Sequence, residues 1–345
     1  MMITRFVGVK LSPKSKGRQL IQAHDWKWGS QMLKKTISLS CILFLLLFSS
    51  PGFGQIEWSG FADILHQTDL EEGGAGFSYG QFEIDASAEI LPGLVFEGAV
   101  ALNPETGGLE AGAGFLDMTI HEELGLGLMC GQFDVPFGLD WEHIASPDRL
   151  LITAPMLNEM TINSWNDVGL NLYGGSDLLS LTAFMVNGAD DGFALGCRLG
   201  VTPVELIGLG VSFYSQTAEN DAASRPQVLG VDLQSSLGPV AFRGEYHQAD
   251  DLFEGDFGAI DGIETHAGFY GQADLDLSSF VNLPLTAIGR FDDWSTDSGS
   301  SDGSKMTLGL AYEVAESFGL RSEYHAVDLD GVQSKQLIFQ ALVSF

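Results

Sequence analysis

Two five-residue segments carry the densest chemistry in the chain: Arg243-Gly244-Glu245-Tyr246-His247 recurs as Arg321-Ser322-Glu323-Tyr324-His325. A catalytic site would need a Ser or Asp held near a His, with a base within hydrogen-bond reach. The sequence supplies no motif of that kind. The seven histidines are His24, His66, His121, His143, His247, His266 and His325; none sits in H-E-x-x-H, and neither G-x-S-x-G nor a Walker-type glycine loop occurs. His143 beside Glu142 is the only suggestive pair. The Asp-rich stretches near Asp250, Asp261 and Asp302 lack EF-hand spacing and read as solvated loop. No enzyme, no metal and no cofactor is expected.

What remains is the spacing itself. In each copy Arg, Glu and His fall on alternate positions, while Phe242 and Tyr246, or Leu320 and Tyr324, fall between them. Arg290 and Asp292 alternate in the same way. Period two places one set on each face of a strand and cannot be an amphipathic helix. The pattern pervades the chain. Phe82, Ile84, Ala86, Ala88 and Ile90 alternate with Gln81, Glu83, Asp85, Ser87 and Glu89. Met306, Leu308, Leu310, Tyr312 and Val314 alternate with Thr307, Gly309, Ala311 and Glu313. Carboxylates that recur on the second face need water, so one face is apolar and the other lines a wet interior.

Export explains why such strands would be needed. From Met32 the chain carries Lys34 and Lys35, an apolar run from Cys41 to Phe48, and a small-residue exit through Ser49, Ser50 and Gly52 to Gly54. This reads as a cleaved secretory signal over 32–54, with 1–31 an over-long start or disordered extension. Its apolar core is far shorter than the ~20 residues of a spanning helix. Cys41 opens that core instead of following it, which is not the lipoprotein arrangement. No later run reaches spanning-helix length, yet 45% of residues are hydrophobic. In lipid every backbone polar group must be paired within the protein, so such a chain spans only as a closed sheet.

Removal of 1–54 leaves 8 basic and 45 acidic side chains, a formal charge of −37. A surface so acidic repels phosphates, which excludes nucleic acid as a partner. Sixteen strands are predicted near 56–67, 77–90, 94–102, 113–121, 125–135, 167–173, 178–187, 192–202, 204–216, 227–236, 240–249, 264–277, 285–295, 304–315, 318–328 and 335–345. Connections after even-numbered strands are mostly tight, as at Leu91-Pro92-Gly93 and Leu237-Gly238-Pro239. Those after odd-numbered strands are mostly longer and acidic or Gly/Ser-rich. This rhythm is the asymmetry between periplasmic turns and external loops. The longest connection, about Pro136 to Asn166, is the third external loop. Cys130 and Cys197 fall on lipid faces of strands too distant for a disulfide, so two free thiols are expected.

The last strand alternates Leu337, Phe339, Ala341, Val343 and Phe345, and this C-terminal aromatic resembles the recognition signal of Gram-negative outer-membrane proteins. A 16-stranded antiparallel barrel whose third loop is longest resembles the bacterial porins, in which that loop folds into the lumen. Gly131-Gln132-Phe133-Asp134-Val135-Pro136-Phe137-Gly138 and Trp165-Asn166-Asp167-Val168-Gly169-Leu170 are similar to the G-x-F-x-x-P-F-G and D-x-G elements of the phosphate-selective porins O and P. The resemblance implies an all-β transmembrane barrel over 55–345, outer-membrane lipid and lipopolysaccharide as surroundings, small hydrophilic solutes or ions as cargo, and a homotrimer. Phosphate preference is not carried over, because the eight basic residues after residue 54 are too few for the Arg- and Lys-lined pore of that family.

The loop offers Asp140, Glu142, His143, Asp148, Arg149 and Glu159 as a constriction, and its carboxylates would concentrate cations. Glu83, Asp85, Arg243, Glu245, His247, Arg290, Asp292, Arg321, Glu323 and His325 are expected to line the pore. Arg243, Arg290 and Arg321 would form a basic wall across from the loop's acids, as in the general porins that these rows resemble, or else local salt bridges that steer nothing. The expectation is a passive, cation-preferring outer-membrane channel. A barrel enzyme of the lipase or deacylase type and a non-conducting structural or adhesive barrel are the alternatives.

Overall fold

The computed structural model describes residues 56–71, 73–103, 107–158, 165–188, 192–216, 227–250, 265–296 and 302–345, with the backbone alone of 159, 160 and 265. The segments 1–31 and 32–54 lie outside the described residues. The first eight strands are β1 (Glu57–Asp69), β2 (Ala75–Leu91), β3 (Leu94–Leu102), β4 (Leu109–His121), β5 (Leu126–Asp134), β6 (Asn166–Gly175), β7 (Leu179–Asn187) and β8 (Phe193–Val204). They are followed by β9 (Ile207–Gln216), β10 (Gln227–Leu237), β11 (Val240–Asp250), β12 (Thr265–Asp276), β13 (Leu285–Thr296), β14 (Gly303–Ala315), β15 (Phe318–Leu329) and β16 (Val332–Ser344). Each pairs antiparallel with its sequence neighbours, and β16 returns to β1, so the sheet is a closed barrel without edges.

Closure depends on the chain terminus. Ile64 pairs with Ala341 and Phe61 with Ser344, and Gly60 and Phe345 exchange backbone hydrogen bonds of 3.0 and 2.9 Å. Glycine is required at position 60, since a Cβ there would stand 2.7 Å from Cζ of Phe345 and 2.6 Å from the Glu83 carbonyl. The terminal ring lies where that side chain would be.

Alternation sets the two faces as the sequence predicts. Leu209, Val211, Phe213, Leu229, Val231, Leu233, Met306, Leu308 and Leu310 point outward and are exposed, forming an apolar belt. Between them Ser212, Asp232, Thr307 and Ala311 turn inward and are buried. Cys130 and Cys197 are free, and both are on the exposed outer face. Most strand bounds fall within three residues of the sequence expectation, and two of the differences coincide with register shifts. Strand β4 begins at Leu109 because Leu109, Glu110 and Ala111 pair with β3 before a register shift between Ala99 and Val100. The β8–β9 turn sits at Glu205-Leu206 instead of Thr202-Pro203, with a shift between Val201 and Val204. A bulge breaks period two, and so hides strand from a periodicity test.

Between β5 and β6 the chain leaves the sheet and folds inward. Two apolar seats hold it. Phe133, Val135 and Phe137 pack with Phe184, Val186, Ala194, Tyr214, Val228 and Ala249 of the inner wall. Further on, Leu151 packs with Ile288 and Ala311. Each fully buried side chain of this size contributes about 1.5–3 kcal/mol. The segment also contains a short helix, α1 (Met156–Met160), and Trp165 closes it with its ring edge-on to Phe184 and Tyr214 at 6.2 and 5.2 Å.

Candidate functional site

The site is the joint between this loop and the inner wall of β9 to β16, continued by β1 and β2. Loops carry backbone N–H groups that no strand satisfies, and a buried one without a partner costs about 1–3 kcal/mol. Here wall carboxylates accept them. Oε1 of Glu245 on β11 accepts from the N–H of Leu139 at 2.7 Å and of Asp140 at 3.0 Å. Oε1 of Glu323 on β15 does the same for Ile152 and, at 3.3 Å, Thr153. Oδ1 of Asp292 on β13 accepts from Met156 at 2.8 Å. On β1, Oδ2 of Asp63 accepts from the Ser146 hydroxyl at 2.5 Å and from Gln340 at 2.8 Å.

Each histidine of the repeat steadies its own clamp. His247 Nε2 lies 3.0 Å from Oε2 of Glu245, and His325 Nε2 lies 2.7 Å from Oε2 of Glu323. The ring of Phe137 meets His247 edge-on at 5.1 Å. The repeated Arg-x-Glu-x-His is therefore a docking device used twice, on β11 and on β15, with β13 between them contributing Arg290 and Asp292.

The arginines grip carbonyls and carboxylates of the same segment. Arg290 donates to Asp292 at 3.1 Å, to the Thr153 carbonyl at 2.9 Å and to the Ala154 carbonyl at 2.7 Å. Arg321 donates to the Ser146 carbonyl at 2.7 Å and to Gln340 at 3.1 Å. Arg243 reaches Gln272 at 3.3 Å and lies 3.7 Å from Asp140. The row is thus covered by the loop and does not face its acids across open water. Glu245, His247, Arg290, Asp292, Glu323 and His325, expected from sequence to line the water path, are all buried under the loop, at 4% exposure or less. The physical reason is that the loop needs acceptors and donors more than the lumen does.

The expected constriction residues divide. Asp140 is turned into the joint, where Tyr270 donates at 3.1 Å and Asn158 at 2.6 Å; burial and the adjacent Glu245 push its carboxyl above the usual range, opposed by Arg243, Arg290 and His143. Glu142 and Asp148 are exposed on the free flank of the loop. His143 bonds through Nδ1 with the Asp148 carbonyl at 2.8 Å. Arg149 makes one long bond, 3.4 Å, to the Ser146 hydroxyl. The side chain of Glu159 lies outside the described residues.

Across the barrel the wall has a different character. Glu83 and Asp85 flank the outward Ile84 on β2, Glu97 follows Phe96 on β3, and Asp117 stands between the outward Leu116 and Met118 on β4. All four therefore face inward. Asp117 accepts from the Tyr173 hydroxyl at 2.6 Å, and Asp85 from Ser59 at 3.4 Å. No Lys or Arg occurs anywhere from Gln55 to Asp148. Beside the loop lies a cavity of ≈ 380 Å³, whose lining includes His143, Asp148, Leu150, Gln234, Arg243 and Asp274.

A hydroxyl, an imidazole and a carboxylate also meet at Thr153, His325 and Glu323, with Thr153 Oγ1 3.3 Å from His325 Nε2 and 3.0 Å from Glu323 Oε2. Nucleophile activation requires the carboxylate on the ring nitrogen opposite the hydroxyl. One nitrogen serves both here, under the loop, and the arrangement is a hydrogen-bonded anchor. Sequence reasoning missed four anchors: Asp63 and Gln340, Gln81, which accepts from the Ser146 N–H at 2.7 Å, and Ser212, whose hydroxyl accepts from the Gly138 N–H at 3.0 Å. Their inward positions were legible, but nothing marked them as facing the loop.

Gly138 is fixed by this joint. Its φ is +69°, and a Cβ would strike the Glu245 carboxylate. Gly331 has φ +78°, and a methyl group added there would meet nothing within 4 Å. Gly331→Ala is expected to cost only backbone strain, at the low end of about 1–3 kcal/mol. Gly138→Ala should cost more and also displace Glu245 from two loop N–H groups. Equilibrium denaturation of the two variants in detergent checks this, and equal losses would show that the Glu245 contact is immaterial.

No protein-family model matches the chain, and no curated protein matches it. Solved structures do. OmpF of Salmonella typhi, in complex with daunomycin, is 11% identical with a TM-score of 0.64, over 85% of this chain and 98% of that one. The outer membrane channel DcaP of Acinetobacter baumannii is 10% identical with a TM-score of 0.64, over 86% and 99%. A loop-L8 deletion form of OmpT, an outer membrane protein of Vibrio cholerae, is 13% identical with a TM-score of 0.63, over 85% and 99%. At such identities the likeness establishes the fold, a 16-stranded porin-type barrel.

Proposed function

We propose that the chain is a passive channel of the Gram-negative outer membrane that admits small hydrophilic solutes and prefers cations. The fold supports the channel part, since the structures that it resembles include proteins described as a porin and as an outer membrane channel. The observation that carries the cation preference is the asymmetry of the lumen. Glu83, Asp85, Glu97 and Asp117 line a wall without any basic side chain, and the loop turns Glu142 and Asp148 to its free side. The arginines of the opposite wall are engaged by Asp140, Asp232, Asp292 and loop carbonyls. Uncompensated carboxylates along a narrow aqueous path hold a negative potential that admits cations and repels anions.

The chain is proposed to reach that membrane through a cleaved signal over 32–54, to lie among lipid and lipopolysaccharide, and to assemble as a homotrimer. One of the solved OmpT structures is described as a trimer form. No catalytic step is assigned. Phosphate selectivity is not proposed, because the arginines that could serve it are held by the loop.

Reversal potentials in planar bilayers across a salt gradient test the reading. A positive cation preference is expected, and a preference for chloride would overturn it. The preference should also fall on acidification. Although exposed at the surface, the Asp148 carboxyl is partly desolvated by the protein around it, which pushes it up against the opposing pull of His143, Arg149 and Arg321, so it takes up its proton at a higher pH than the ~3.9 of a free aspartate. Each proton bound removes one negative charge from the path. A selectivity unchanged down to the free-aspartate range would remove Asp148 from the constriction.

A further inference from the structure

A second and much smaller cavity lies inside the joint, between the loop and the arginine row. It measures ≈ 20 Å³, and its lining includes Asp140, Arg149, Thr153, Asn158, Arg243 and Arg290. A space of this size exceeds the roughly 10–15 Å³ that one water needs and holds a single water or one small monatomic ion. Three guanidinium groups converge on it. Arg290 is largely engaged, by Asp292, the Thr153 and Ala154 carbonyls and the Thr153 hydroxyl, and contributes mainly charge. Arg149 and Arg243 differ, for the Nε of each is buried with no hydrogen-bond partner.

Arg149 stands out among the described residues. It belongs to no ion pair, and its one hydrogen bond is the long contact with Ser146. Burial lowers its pKa, with Asp63 and Glu323 opposing at longer range. Arg149 is half-buried, its Nε fully so, with no carboxylate at ion-pair distance; such an arrangement is costly, and buried donors that lack partners mark places filled by water or an ion. The one carboxylate in the lining, Asp140, is turned to Tyr270 and Asn158, with Arg243 only at 3.7 Å.

We propose that this cavity holds a single small monovalent anion, a halide, bound by Arg149 and Arg243 in the field of Arg290, and that the ion is a structural part of the loop's attachment. A halide supplies at once the acceptor that the two Nε–H groups lack and the negative charge that Arg149 lacks, whereas water would supply only the first. Oxyanions are too large for the space. The ion lies in the joint and not in the water path, so its presence is compatible with a lumen that passes cations. The proposal is independent of the channel reading: a barrel that conducts nothing would still bind the ion.

Crystals of the intact protein grown in sodium bromide test it directly. An anomalous bromine peak between Arg149 and Arg243 is expected, and it should be lost in Arg149→Gln. A featureless site, or a water that shows no bromine signal, would overturn the assignment. In solution the detergent-solubilised protein should be cut by trypsin after Arg149 at least threefold more slowly in sodium chloride than in sodium gluconate of equal ionic strength. Equal rates would overturn the structural role of the ion.

Discussion

Replacing Glu83, Asp85 and Glu97 together by Gln, Asn and Gln is expected to collapse the reversal potential towards zero while leaving the barrel folded. At ~8 Å in a water-like medium one unit charge shifts a monovalent ion by about 0.5 kcal/mol. Cation and anion are shifted in opposite senses, so three carboxylates separate them by about 3 kcal/mol before screening. At 0.1 M salt the Debye length is about 10 Å, comparable to the half-width of such a path, and roughly a tenfold loss of preference should survive. The side chains are nearly isosteric, and none of the three clamps the loop, so single-channel conductance should change far less than selectivity. Heat-dependent migration on gels reports whether the barrel is intact. A folded triple variant with undiminished cation preference would mean that the charge filter lies elsewhere, and the free flank of the loop at Glu142 and Asp148 would be the place left to look.

The other large effect concerns the loop. Glu245 and Glu323 together accept four loop N–H groups, at Leu139, Asp140, Ile152 and Thr153. In the double variant Glu245→Ala/Glu323→Ala those donors lose their partners, at about 1–3 kcal/mol each if they stay buried. His247 and His325 lose their carboxylate neighbours as well. The combined penalty, about 4–12 kcal/mol, is comparable to the about 6–12 kcal/mol contributed by the buried loop side chains Val135, Phe137, Leu151 and Leu157, so the loop is expected to spend much of its time off the wall. Arg149 is the only Lys or Arg between Val135 and Trp165, which makes trypsin a clean reporter, with cleavage between Arg149 and Leu150 becoming rapid. Conductance should rise as the lumen empties. Glu245→Gln/Glu323→Gln keeps a carbonyl oxygen at each site and should show a smaller change in both readouts. A loop that stays resistant to trypsin in the alanine variant would show that the apolar seats alone hold it.

Much of this architecture is written locally. Lipid on one side and water on the other force apolar and polar residues into strict alternation, so each strand declares itself within its own ten or so residues. Where β4 escaped, a bulge had interrupted that alternation. The lengths of the connections carry the second layer of information, because only one end of the barrel tolerates long loops. That rhythm placed the segment after β5 as the exceptional one, and it is the one that turns inward.

The candidate site was legible only by half. Glu83 and Asp85 could be read as inward carboxylates from their neighbours alone, and they remain the residues proposed to set the sign of the path. The repeat on β11 and β15 was legible as a pattern but not as a function. Glu245 meets the Leu139 amide across 106 positions of sequence, and Glu323 meets Ile152 across 171. Alternation says which face a side chain occupies. It carries no information about which backbone amide arrives there.

By itself, then, the sequence determined the closed sheet, its two faces, the place of the long connection and the surplus of negative charge. All of these follow from nearest-neighbour rules and from counting. Only the tertiary structure decided that the arginine row is a seat for the loop and not an open electrode, and that one guanidinium of the joint is left without an adjacent counter-charge. Such assignments depend on distances between segments far apart in the chain, where a shift of a few ångströms separates a hydrogen bond from none.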